Sequence, residues 1–279
     1  MKHSDQAGPR TIDDAAYVGA IPDHYHRSIG PFLSEPYAQH IALRIKELGA
    51  RRVLETACGT GIVTRRLREV LPDDALLVAS DLNPPMLAIA RRTVGERACV
   101  EWAQADMAKL HFTDHTFDAV VCQFGLMFVR DKLAAVREAR RVLQPGGSFL
   151  LTTWATLDRN PIIGVAHRAI VGLFPDDPPQ YLQRAAFGYG DRNAVAGLLD
   201  QAGFRDVEVH LVAKTSVARS AQELAAGLVE GHPLVDEIRL RDAACVPAVV
   251  DAVARAIARQ FGEHPVKTRI AALIASGVA

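Results

Sequence analysis

The segment Glu55-Thr56-Ala57-Cys58-Gly59-Thr60-Gly61 carries residue types suited to holding a polar ligand against the backbone. Two glycines one residue apart let the chain pass close to a bound group and take positive φ without a Cβ clash. A helix starting here would turn its first unpaired N–H groups toward the same ligand. The pair alone is a weak sign. A dinucleotide fingerprint needs a third glycine at position 64, where this chain has Thr64, and a P-loop needs a Gly-Lys-Ser/Thr run that is missing. Asp81 lies 22 residues after Gly59 in SDLNPPML, and its carboxylate can accept both hydroxyls of a ribose. Gln104-Ala105-Asp106-Met107 adds an Asp able to accept from an adenine amine. Glu55, Asp81 and Asp106 accompany three successive apolar runs, so they would ring one crevice.

The elements that must position these groups are written in the pattern from 52 to 155. Apolar runs at 52–57, 75–80, 98–103, 117–124 and 147–154 alternate with helical periods at 61–70, 84–94 and 131–143. Strands apolar on both faces and separated by helices predict a parallel sheet covered on both sides, a doubly wound α/β core. Before it, residues 17–36 read as an irregular aromatic and Pro-rich arm, followed by a helix with Ser34 as N-cap, Pro36 in its first turn and Gly49 as its stop. After it, the Pro-rich stretch 157–189 reads as a lid-like insertion rather than core. A helix at 191–203 and a sixth strand at 207–212 follow, then helices at 219–230, 234–242 and 246–261. The pattern at 266–276 suits either a last strand or a terminal helix.

Composition narrows the partners. Lys+Arg and Asp+Glu balance at 32 each, so no net field draws the chain to a polyanion, and the Arg pairs at 51/52, 65/66, 91/92 and 140/141 are scattered over separate elements. Nucleic acid is not an expected partner. The longest apolar stretch, 119–129, is too short to cross a membrane, and the first twenty residues hold no apolar segment of a secretory signal. A cytoplasmic protein is expected, with Cys58, Cys99, Cys122 and Cys245 spaced too widely for metal or redox pairs and read as reduced core thiols.

Five motifs in order, VLETACGTG, SDLNPPML, QADM, FDAVVCQFGLMF and REARRVLQPGGSFLLTTW, together resemble the class I S-adenosylmethionine-dependent methyltransferases. The resemblance covers 50–155 and is nearest to the branch of ubiquinone and menaquinone biosynthesis C-methyltransferases. It implies a Rossmann-like doubly wound sheet of seven strands with the last antiparallel, which makes 266–276 a strand. It implies S-adenosylmethionine as cofactor, with Glu55 and Gln123 near the methionine end, Gly59 and Gly61 as close-approach glycines, and Asp81 on the ribose. Asp106 and the backbone of Met107 would read adenine, with Leu82 and Met86 flanking its plane. Ala57 stands where the family most often has glycine, and a tolerated narrowing is expected there. Tyr25, within His24-Tyr25-His26, would cover the cofactor as N-terminal arms do in similar enzymes; an ordinary surface turn is the competing reading.

The expected organisation is thus an N-terminal arm and helix over 1–49, a cofactor-binding core over 50–155, and a lid-like insertion over 156–190. A helix and sixth strand occupy 191–215, a helical insertion 216–265 and the last strand 266–279. Phe124, Phe128 and Trp154 are candidates to line an acceptor pocket, with Met127 beside them. His232, before Pro233, is a candidate acceptor-site residue and possible base, although most surface His-Pro pairs are only turns. His111 and His115 lack a third ligand nearby, so no metal is assigned. The expected activity is methyl transfer to a small organic acceptor by in-line displacement, in a monomer or homodimer. No catalytic side chain is assigned, because an acidic acceptor needs no protein base. A nicotinamide oxidoreductase, disfavoured by Thr64, and a non-catalytic nucleoside sensor are the alternatives.

Overall fold

A computed structural model describes residues 12–95 and 99–279. The first eleven residues of the expected arm and Ala98 at the start of the expected third strand lie outside the described residues.

Seven strands form one mixed sheet. They are β1 (Arg52–Thr56), β2 (Leu76–Asp81), β3 (Val100–Gln104), β4 (Phe117–Gln123), β5 (Leu143–Trp154), β6 (Arg205–Ala218) and β7 (Val266–Val278), in the order β3-β2-β1-β4-β5-β7-β6. The first five run parallel, and β7 is antiparallel to both β5 and β6. The order reverses between β1 and β4, the place where a doubly wound sheet opens a crevice at its carboxyl edge.

Alternation along the strands divides the core into two layers. Val53, Leu77, Val121 and Leu150 face one layer, closed by the helices Glu35–Glu47 and Ile62–Val70 and by later helices at 161–171, 221–230 and 246–261. Leu54, Val78, Val120 and Leu151 face the other, closed by Lys132–Val142 and Arg192–Gln201. In chain order the helices are α1 (Ile21–His24), α2 (Gly30–Leu33), α3 (Glu35–Glu47), α4 (Ile62–Val70), α5 (Pro84–Val94), α6 (Lys132–Val142), α7 (Pro161–Val171), α8 (Arg192–Gln201), α9 (Ala221–Glu230), α10 (Leu234–Asp242) and α11 (Val246–Phe261). Side-chain caps fix several starts. Asp131 accepts from Ala134 N at 2.9 Å, Asp191 from Asn193 N at 2.7 Å, and Ser220 from Glu223 N at 3.1 Å.

Four expectations are corrected. The arm at 17–36 is mostly helical, since α1, a π turn over Tyr25–Ile29 and α2 lead directly into α3; Pro22, Pro31 and Pro36 each fall in a first turn, where a missing N–H costs nothing. Ser34 is therefore in helical conformation and caps nothing, and its Oγ instead lies 2.9 Å from the Tyr25 hydroxyl. In the expected lid, α7 is core, with Ile162, Ile163 and Ala166 fully buried. Cys58 and Cys122 are core thiols, whereas Cys99 beside edge strand β3 is exposed and Cys245 half-buried.

Candidate functional site

Because β1, β2, β3 and β4 run parallel, their last residues share one edge, and a cavity of about 420 Å³ opens there. Its floor is the turn from β1 into α4. Gly59 has φ +56, and a Cβ built there would meet no atom within 4 Å, so the backbone is presented bare to the cavity. Gly61, at φ +83, does something else: a Cβ there would lie 3.0 Å from the Ala90 Cα, and the residue is not part of the cavity wall. It lets α4 approach α5 at Ala90. Thr64, in place of a third glycine, is fully buried within α4.

Asp81 ends β2 and is 6% exposed. Its Oδ2 accepts from Gly59 N at 2.8 Å and its Oδ1 from Asn83 N at 2.8 Å, so the carboxylate ties the glycine turn to the start of α5. Burial pushes its pKa up against these stabilising bonds. Asn83 reaches the other way: its Nδ2 donates to Ala15 O at 3.0 Å and its Oδ1 accepts from Tyr17 N at 3.2 Å. The arm is thereby laced over the cavity. Tyr17, Asn83 and Phe187 line the wall and were missed in sequence, since no spacing rule connects residue 17 to 83 or to 187.

Glu55 and Gln123 sit at the tips of the two strands flanking the crevice. Glu55 is 2% exposed, its Oε2 has no partner at hydrogen-bonding distance among the described residues, and burial, opposed by the nearby Thr64, pushes its carboxyl up to about 8. Gln123 donates from Nε2 to Ser34 O at 3.1 Å, leaving Oε1 without a partner among the described residues. Toward β3, Met107 and Met86 are buried in the wall, Leu82 is exposed at the rim, and the exposed Asp106 accepts from Ala108 N at 2.8 Å. Tyr25 and Ala57 also line the cavity.

The opposite end is aromatic. Phe124, held at φ +56 just past β4, stacks on Trp154 with ring centroids 3.8 Å apart, and Phe187 tilts against Trp154 at 5.6 Å. Phe128 meets Tyr17 edge-on at 5.8 Å. Met127 is buried in the core and is not part of the wall. His232 is no surface turn: it is 5% exposed, lines the cavity, and has its Nδ1 3.2 Å from Leu228 O. The pair His111 and His115 is separated in use, His111 lying against the Phe112 ring and His115 bonding Leu143 O at 3.0 Å. Among the described residues no group of three His, Cys, Asp or Glu side chains is placed to hold a metal, and no helix is long and apolar enough to cross a membrane.

With this geometry in place, similarity to known proteins is informative. The methyltransferase-domain family profile matches residues 54–151, the stretch that builds the crevice. The ubiquinone/menaquinone biosynthesis C-methyltransferase of Escherichia coli O139:H28 is 32% identical over 181 residues, covering 58% of this chain and 70% of that protein. Its counterpart in Klebsiella pneumoniae strain 342 is 30% identical over 177 residues, with the same coverage. The fold matches that of Haemonchus contortus phosphoethanolamine N-methyltransferase 2, solved with phosphomonomethylethanolamine and S-adenosylhomocysteine. That match has a TM-score of 0.58 and 18% identity, covering 95% of this chain and 59% of that one. The chain belongs to the class I S-adenosylmethionine-dependent methyltransferases, in the branch related to the ubiquinone/menaquinone biosynthesis C-methyltransferases.

Proposed function

We propose that this methyltransferase acts on a small organic acceptor held at the aromatic end of the cavity. The observation that carries this reading is the continuity of one cavity of about 420 Å³ from the strand tips to the Phe124–Trp154 stack. Buried polar atoms without partners are costly unless a ligand completes them, and among the described residues Glu55 Oε2, Thr60 Oγ1 and Gln123 Oε1 are such atoms on the wall. They suit the cationic methionine end of S-adenosylmethionine, which supplies an electrophilic methyl group to the acceptor's nucleophile. Asp81 then accepts from the ribose hydroxyls, the bare backbone at Gly59 admits the nucleoside, and Asp106, Met107, Leu82 and Met86 surround the adenine. The laced arm with Tyr17 and Tyr25 excludes water, which favours a reaction that disperses the sulfonium charge.

The acceptor's size class is tested by incubating the protein with methyl-labelled S-adenosylmethionine and the two fractions of an ultrafiltered cell extract. Label should enter the low-molecular-weight fraction. Label confined to protein or nucleic acid would contradict the reading.

Glu55 gives a second expected result. With its carboxyl raised from 4.5 to about 8, Glu55 holds a proton at neutral pH that the unfolded chain lacks. Its contribution to stability is thus full below 4.5 and fades as pH rises through about 8. A cationic ligand beside it lowers that pKa, so binding should release close to one proton at about pH 6.5 and almost none at about pH 9.5. Calorimetry in buffers of different ionisation enthalpy reads the number directly, and proton-neutral binding at both pH values would place Glu55 away from the ligand's charge.

A further inference from the structure

The aromatic end of the cavity has few polar atoms, and most are already committed to one another. The Tyr17 and Tyr181 hydroxyls are 3.1 Å apart, and the Tyr25 hydroxyl is 2.9 Å from Ser34 Oγ. His232 is different. Its ring lies edge-on to Tyr25 at 6.3 Å and tilted against Tyr181 at 5.9 Å, and among the described residues its one hydrogen bond runs to the carbonyl of Leu228. A carbonyl accepts and cannot donate, so Nδ1 must carry the hydrogen. In a neutral ring Nε2 is then a lone pair, and it has no partner among the described residues. Neutrality follows from the surroundings: burial among rings pushes the imidazole down to about 4, and no carboxylate bonds it.

Building on the acceptor site argued above, we propose that His232 is a specificity-determining residue whose Nε2 accepts a hydrogen bond from a hydroxyl of the methyl acceptor, selecting uncharged, ring-sized acceptors that carry such a group. A carboxylate or ether offers no donor to this lone pair and leaves it unpaired at the cavity wall. A site that hydrogen-bonds a ligand hydroxyl discriminates strongly against analogues lacking it, because the site's own polar atom is stranded. The Leu228 carbonyl acts through His232 as a positioning group, fixing the tautomer and ring direction.

The test uses the whole chain labelled with ¹⁵N-histidine, saturated with S-adenosylhomocysteine, and two probes of similar shape, phenol and anisole. Before either probe is added, His232 should show the Nδ1-protonated tautomer, its resonance identified by its loss in His232→Phe. Phenol should move the Nε2 resonance and bind about tenfold tighter than anisole, the scale of one hydrogen bond to a buried group. That preference should disappear in His232→Phe, with affinity for S-adenosylhomocysteine retained as proof of folding. An Nε2-protonated tautomer, equal binding of the probes, a preference that survives the substitution, or failure of both probes to bind would each overturn the proposal while leaving the cofactor site intact. Failure of S-adenosylhomocysteine itself to bind the unsubstituted protein would instead remove the reading on which it rests.

Discussion

Asp81→Ala should weaken S-adenosylhomocysteine binding by about 10- to 150-fold, the 1.5 to 3 kcal/mol of a charge-assisted hydrogen bond. Two losses combine in that figure. The buried carboxylate gives up its ligand hydroxyls, and the N–H groups of Gly59 and Asn83 lose the acceptors that hold the glycine turn against α5. Asp81→Asn separates them. An amide oxygen can keep one backbone bond but offers a weaker acceptor to the ribose, so its affinity should fall between the two. The arm adds a structural marker: because Asn83 bonds Ala15 and Tyr17, disturbing residue 81 should also speed proteolysis near residue 15. Calorimetric titration of the three proteins checks the order, and affinity of Asp81→Ala within about twofold of the unsubstituted protein would remove Asp81 from the ligand's contacts.

The second large effect concerns a steric pair that closes the same turn. Ala57 has φ +54, a left-handed conformation that costs a Cβ-bearing residue roughly 1 kcal/mol. Its methyl points at Gly125, where an added Cβ would lie only 2.4 Å from the Ala57 Cβ, with Cys122 Sγ next at 3.2 Å. The departure from glycine at 57 is therefore accommodated across the crevice by a glycine at 125. Gly125 itself has φ −103, open to any residue, so its requirement is space and not backbone freedom. Gly125→Ala should cost about 1 to 3 kcal/mol by overpacking and also narrow the ligand cavity, which both residues line. Ala57→Gly alone should be nearly neutral, because relief of the left-handed strain is offset by the greater freedom of glycine in the unfolded chain. The double variant should recover most of the loss, a coupling expected only for residues in direct contact. Denaturant unfolding of all four proteins measures it; additive effects would show that the Gly125→Ala clash lies elsewhere.

The sheet was legible in the sequence because β1, β2 and β4 are apolar on both faces and punctuated by helices, so their number and direction follow from pattern. The tip residues were legible for a related reason: Glu55, Asp81 and Gln123 each stand at or beside the carboxyl end of such a run, and Asp106 lies two residues past the half-exposed edge strand β3. Strand β6 was read as 207–212 and extends over Arg205–Ala218, because it pairs on one edge only and most of its side chains are exposed. Lys214, Thr215 and Ser216 belong to no apolar alternation, and their backbone pairing to β7 is what makes them a strand. Gly61 shows the limit of motif reading from the other side. Its place in the Gly-x-Gly pair suggested a ligand contact, and the spacing gave no hint of the helix packing against Ala90 that also needs it. The helical arm and the Ser34–Tyr25 contact were illegible for a common reason. Their partners are distant in sequence or are backbone carbonyls, and neither leaves a spacing to find.

A crystal structure of the S-adenosylhomocysteine complex tests the central claim most directly. The ribose should lie on Asp81, the amino acid portion between Glu55 and Gln123, and the sulfur should face the chamber of Phe124, Trp154 and His232. A sulfur directed away from that chamber, or a ligand bound outside the crevice between β1 and β4, would contradict the account.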